Sequence, residues 1–178
     1  VTDAGPDPFP ELGEIVDDHT VRFRRLLPVP IDDAWARLAT AEGLATWLGP
    51  ADFDPVVGAA FTVRFAGAGG VSGEHDAARG VVTTVEAPAL MVLAWHEEPG
   101  PDVDSTVRLE LDPVGPQSRL ILTHRDLPVE RKYGYAAGWH QHLARLVASL
   151  EGAADPGFDD VRQVNLAVAY RTGAGPSL

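Results

Sequence analysis

The 178-residue chain has no cysteine, one lysine, one methionine and no long hydrophobic run. Without cysteine there is no disulfide, no thiolate metal site and no cysteine nucleophile. Nothing marks an oxidising compartment either, so a cytoplasmic location is the expectation. No stretch approaches the roughly 18 to 20 apolar residues that a membrane span requires, and none is expected. The opening VTDAGPDPFPELGEIVDDHT has neither the basic start nor the apolar segment of a secretory signal. Positive charge is scarce, with 14 Lys and Arg against 26 Asp and Glu and a formal charge of -12. Six of the acids (Asp3, Asp7, Glu11, Glu14, Asp17, Asp18) lie in residues 1–20, which hold no Lys or Arg and read as a solvated acidic arm. Nucleic-acid binding rests on basic patches that release phosphate counterions, so nucleic acid is not an expected partner.

Several catalytic signatures are also missing. Gly67-Ala68-Gly69-Gly70 lacks the third glycine and the following helix of a dinucleotide loop. The chain has no Gly-Lys-Ser/Thr of a P-loop and no Gly-x-Ser-x-Gly elbow. His140 and His142 stand two apart on an expected helix, about 200° around it, and cannot chelate one metal. No metal and no cofactor is expected. His96-Glu97-Glu98 reads as a solvated strand end, and Glu74-His75-Asp76 as part of a Gly-rich loop.

What is present is a clear change of period along the chain. Residues 19–27 alternate Val21 and Phe23 against Arg22 and Arg24 and read as a strand. Pro28 and Pro30 stop it. Ile31, Ala34, Trp35 and Leu38 then recur at helical spacing, with Asp32 and Asp33 suited to the positive helix end. Leu44, Trp47 and Leu48 suggest a second short helix. Five strands follow at 59–65, 80–87, 90–97, 105–111 and 119–124, joined by short Gly, Pro and Asp connections, which implies an antiparallel meander. From Glu130, the spacing of Tyr135, Trp139, Leu143, Leu146 and Leu150 marks a helix of about twenty residues, which Gly152 can end. Residues 153–178 alternate weakly through Val164, Leu166, Val168 and Tyr170, as an extra strand or a contact arm would. The fold class is therefore α+β, with an acidic arm at 1–18, a domain at 19–152 and an extension at 153–178.

The same residues carry a family resemblance. PVPIDDAWARLATAEGLATWLGP at 28–50, Gly80-Val81-Val82, LMVLAWHEE, SRLILTHRDL at 118–127 and GWHQHLARLVASLEG at 138–152 occur in an order similar to that of the activators of the ATPase of the ninety-kilodalton heat-shock protein. That family belongs to the START-like, or SRPBCC, superfamily. The resemblance covers roughly 19–152 and implies a helix-grip fold, in which a curved antiparallel sheet of about six or more strands wraps a long C-terminal helix. It also implies a cavity between them. At 56–61, where relatives often carry a paired-glycine turn, only Gly58 remains.

A cavity of that kind needs large apolar groups and a few polar ones that orient a ligand. Trp35, Trp47, Phe61, Trp95 and Leu109 are candidates for its lining, with Leu122, Tyr135, Trp139 and Leu143. Each could equally fill a core. His124 shares the inward phase of Leu120 and Leu122, where it could orient a ligand, move a proton or be a satisfied strand-end histidine. The leading expectation is a non-enzymatic module binding a small apolar molecule. One alternative is a cyclase-, aromatase- or hydrolase-like enzyme using His124 or Tyr135. Another is a protein-interaction module, either a chaperone cofactor or a homodimer held through the C-terminal extension.

Overall fold

The computed structural model describes residues 12–65, 77–98 and 104–173. The glycine run 67–70, the Glu74-His75-Asp76 cluster and most of the acidic arm lie outside the described residues. The elements run β1 (Glu14–Asp17), β2 (Thr20–Leu27), α1 (Ile31–Leu38), α2 (Ala41–Ala45), β3 (Ala51–Asp52), β4 (Ala60–Arg64), β5 (Ala77–Glu86), β6 (Leu90–Glu98), β7 (Ser105–Val114) and β8 (Gln117–Arg125). A 3-10 turn (Val129–Arg131) then leads into α3 (Lys132–Glu151), and α4 (Asp160–Thr172) follows. The strands form one open, curved antiparallel sheet in the order β1-β2-β8-β7-β6-β5-β4-β3. This is the expected α+β helix-grip.

Alternation fixes which face is buried. Val21, Phe23 and Leu27 of β2 are essentially inaccessible, while Arg22 and Arg24 on the other face lie beside Glu14 of β1. The register aligns Val21 and Val107 with His124, and Phe23 and Leu109 with Leu122, so inward side chains form rows across β2, β8 and β7. A bulge between Val82 and Thr84 interrupts the β5–β6 register, and bulges bend sheets locally. At Gly80, next to this bend, a Cβ would lie 1.8 Å from the Ala94 carbonyl oxygen, so only glycine permits the strand approach.

Thr40 caps α2 by accepting a hydrogen bond from the Gly43 N–H at 3.0 Å, the standard remedy for an unpaired N-terminal amide. Pro30 sits one position before α1, and Trp47 and Leu48 fall in the turn after α2. α3 has the expected twenty residues and ends at Gly152 in the left-handed conformation.

Two sequence readings need correction. The acidic arm does not stay detached to residue 18, because residues 14–17 form an edge strand paired with β2. Residues expected to alternate as a strand or arm form α4, which buries Leu166, Ala169 and Tyr170 at helical spacing. The weak alternation there arose because α4 also carries Val161, Val164 and Val168 on its exposed face. Its real signals were Asp159, whose side chain accepts from the Arg162 N–H, and Gly173 in the left-handed cap position.

Candidate functional site: a cavity at the mouth of the helix grip

The space between the sheet and α3 is divided in two. Deep inside, Trp47, Phe61, Leu109 and their neighbours enclose only about 10 Å³ of free space, at the lower limit of what one water requires. That region is solid core. Toward the other end, a cavity of about 650 Å³ opens between the ends of β4 and β6, the first half of α3, and α4. Its size falls within the range of small-molecule sites.

Trp95 and Trp139 border both regions and form the partition, with ring centroids 5.7 Å apart. Both indoles are held by polar partners, as buried indole N–H groups require. Trp139 Nε1 donates to His124 Nδ1 at 2.9 Å, so the His124 proton resides on Nε2, which bonds to Ser105 Oγ at 2.7 Å. Ser105 in turn donates to the Trp95 carbonyl at 2.9 Å. Trp95 Nε1 donates to the Glu97 carboxylate at 3.2 Å. Burial pushes His124 down to about 3, so it is neutral, and both ring nitrogens are engaged. Its geometry is that of a positioning residue for Trp139.

Tyr135 faces the cavity beside Glu97. Burial, with the Glu97 carboxylate next in effect, pushes the phenol up to about 12, so it remains a hydrogen-bond donor at neutral pH. His142 lines the same space, accepts ring contacts from Phe65 and Phe158, and points Nδ1 at the Trp47 carbonyl at 3.3 Å. Burial lowers it to about 4. His140 faces away, toward the Tyr170 hydroxyl at 3.1 Å; the two histidines serve separate places, as their spacing requires.

Residues 28–151 match the family model described as activator of Hsp90 ATPase homolog 1-like protein. The chain belongs to this family. A solution NMR structure of a protein from Bordetella parapertussis is 30% identical, with a TM-score of 0.71, over 96% of this chain and 94% of that one. The unmatched share is shorter than the 13-residue α4, so the likeness extends past the family segment into that helix. CalU16 from Micromonospora echinospora (20% identity, TM-score 0.67, 86% of each chain) and Ms6760 from Mycobacterium smegmatis (16%, 0.67, 85% of this chain and all of that one) share the fold. A comparison with curated proteins gives no match. No helix among the described residues of this family member is long and apolar enough to cross a membrane.

Of the ten residues singled out from the sequence, Trp95, Tyr135 and Trp139 line the cavity. Trp47, Phe61 and Leu109 surround the small interior gap instead. Leu122, His124 and Leu143 are fully buried in the sheet–helix core, and Trp35 is half-buried at its margin. Sequence reasoning missed Glu97, although it shares the inward phase of Met91, Leu93 and Trp95 on β6. It also missed the α4 wall, formed by Gln163, Ala167 and Arg171 with Phe158 just before it.

α4 is fixed to α3 by a polar network. The buried Gln141 amide donates to Asp159 O and Gln163 Oε1 and accepts from the Asp159 N–H, all within 3.2 Å. Gln163 donates to the Gly134 carbonyl at 2.9 Å. Arg145 grips Asp155 with two bonds of 2.9 Å, the fork-to-carboxylate geometry. α3 carries glycine where it faces the cavity. Gly134 and Gly138, one turn apart, both line the space. A Cβ on Gly134 would touch nothing within 4 Å, and one on Gly138 only Gln163 Nε2 at 3.8 Å.

Proposed function

We propose that this protein binds a small, largely apolar and aromatic molecule in the 650 Å³ cavity, as a carrier or sensor rather than an enzyme. The observation that carries the reading is the pair Gly134 and Gly138. Glycine inside a helix costs about 1 kcal/mol relative to alanine, yet no neighbour requires it at either place. What the two glycines provide is room between α3 and α4, beside the faces of Tyr135 and Trp139. The family and its shared fold support ligand binding.

The enzyme alternative draws on Tyr135 and Glu97, a titratable pair that meets the cavity. A phenol raised to about 12 gives up its proton poorly near neutral pH, where general catalysis favours a group poised close to the working pH. His124 is neutral with both nitrogens engaged. These arrangements suit orientation of a ligand better than proton transfer.

The test is to titrate the protein with apolar aromatic fluorophores and to examine it by native mass spectrometry, alongside Gly138→Phe. Binding to the unsubstituted protein, lost by at least about a hundredfold in a folded Gly138→Phe variant, is the expected result. No uptake of any probe would sink the reading.

A second reading, a homodimer through the C-terminal extension, is favoured by Val161, Val164 and Val168. They are 71%, 62% and 53% exposed on one face of α4. Sedimentation equilibrium of the protein and of Val164→Lys tests it; a monomer in both would remove it.

A further inference from the structure

Resting on the cavity reading, we propose that the occupant carries a hydrogen-bond donor on its aromatic body, a ring N–H or a phenolic O–H, and that His142 Nε2 receives it. Three observations meet at this atom.

The first is the tautomer. His142 Nδ1 lies 3.3 Å from the Trp47 carbonyl oxygen, and a carbonyl oxygen can only accept. The one ring proton of the neutral imidazole therefore sits on Nδ1, which leaves Nε2 with an open lone pair. Burial, opposed by the bond to Trp47 and aided by the nearby Arg145 charge, keeps the ring neutral. His142 thus offers an acceptor near neutral pH.

The second is the lack of a partner. No hydrogen bond joins Nε2 to any described residue, although His142 is only 8% exposed. The atom is not sealed in either. Among the described residues, Arg119 Nε is the one side-chain nitrogen or oxygen that lacks both a partner and access to free space. Nε2 therefore keeps contact with free space, and the space that His142 lines is the 650 Å³ cavity. Nδ1 points to the turn after α2, so Nε2, on the other side of the ring, points away from that turn.

The third is the room beside it. Gly134, Gly138 and His142 recur at steps of four and share one face of α3. Helix side chains lean toward the N-terminus, so the imidazole leans over the turn of Gly138, which has no side chain to cover it. Phe65 and Phe158 pack on the ring with centroids 5.6 and 5.1 Å away, tilted by 33° and 37°. Together with the Trp47 bond they fix the ring plane, so the direction of the lone pair is set before a ligand arrives.

The carboxylates of the lining are placed differently. Glu98 is paired with Arg79 at 3.4 Å, Glu97 accepts from the Trp95 indole, and Glu130 and Asp160 are exposed at the rim, where water competes. In an open cavity solvent serves an atom such as Nε2. A ligand that covers it without a donor strands a buried acceptor, whereas a ligand with one replaces the bond.

The experiment compares three planar three-ring probes that differ at one position: carbazole with an N–H, dibenzofuran with an oxygen and fluorene with a methylene. Affinities are read by equilibrium dialysis at neutral pH. Carbazole should bind about tenfold tighter than either of the others. Two variants remove Nε2: His142→Phe keeps an aromatic ring, and His142→Asn keeps an N–H for the Trp47 carbonyl. In both, the advantage of carbazole should fall to about twofold or less. In the unsubstituted protein, long-range proton–nitrogen NMR should show His142 Nε2 without a proton, and its resonance should move on adding carbazole but not dibenzofuran.

Dibenzofuran or fluorene binding as tightly as carbazole overturns the donor inference and leaves the cavity reading standing. So does a carbazole preference that survives in either folded variant, or a proton found on Nε2. Failure of all three probes overturns both. Should neither variant retain its near-ultraviolet circular dichroism, the NMR titration of the unsubstituted protein decides: an Nε2 resonance indifferent to carbazole counts against the proposal.

Discussion

The two halves of α3 lie against the same sheet and do opposite things. The second half, with Leu143 and Leu146 at zero exposure, is packed solid into the hydrophobic core. The first half carries Gly134 and Gly138 and leaves a 650 Å³ opening that α4 roofs. The open half carries glycine at two positions that face the space, and the Trp95–Trp139 pair stands between the two regions. The interior of this helix grip thus divides into a filled region and an open one without a change of fold.

Protonation should break the comparison most severely, because buried histidines stand on both sides of the partition. His124 and His142 are held at about 3 and about 4, below the usual histidine value of 6.5, chiefly by burial. The unfolded chain therefore binds more protons between those values and 6.5. Their contribution is complete above pH 6.5 and is lost as pH falls toward 4, at about 1.4 kcal/mol for each residue by pH 5.5 and on the order of 3 kcal/mol for each by pH 4. Urea unfolding midpoints at pH 7, 5.5 and 4.5 should decline steeply, and a flat profile would contradict the burial of these rings.

Next in size, Leu143→Ala should destabilise the filled half by about 2 to 5 kcal/mol through lost burial and a residual void. Its effect on ligand affinity should be small. Thermal melts with a binding titration check both parts, and a loss of affinity matching the loss of stability would mean that the two halves are not separate.

At the small end, Gly134→Ala and Gly138→Ala should each raise stability by about 0.5 to 1 kcal/mol, because alanine is the better helix former and its methyl finds space. Both should weaken binding of ring-sized probes. Stability rising while affinity falls would show the cavity maintained against the preference of the helix; destabilisation by either change would mean that the glycines serve packing.

Much of this was legible in the sequence. The alternation at Val107, Leu109 and Leu111, and at Leu120 and Leu122, placed β7 and β8 with their buried face. The Tyr135–Trp139–Leu143 spacing placed α3. The ordered motifs led to the family, whose model covers 28–151. The site was less legible. Large aromatic residues mark burial, and burial serves a core and a cavity wall alike, so Trp47 and Trp139 look equivalent along the chain although only Trp139 borders the open space. The cavity is marked instead by small residues and by a charge at a strand end. Gly134 and Gly138 carry no periodic signal of their own, and Glu97, although in the inward phase of β6, is a charge at a strand end that reads as solvated.

The sequence by itself determined the order and type of the main elements, the inward phase of β2, β7 and β8 and the family, because these depend on side-chain periodicity along a local stretch of chain. Tertiary structure alone decided that α4 closes over α3 through Gln141, that His124 holds Trp139 in place, and that Glu97 meets Tyr135. Each of those contacts joins elements whose separation in sequence carries no pattern. Whether the space beneath a helix is filled or open depends on volumes contributed by several such elements at once.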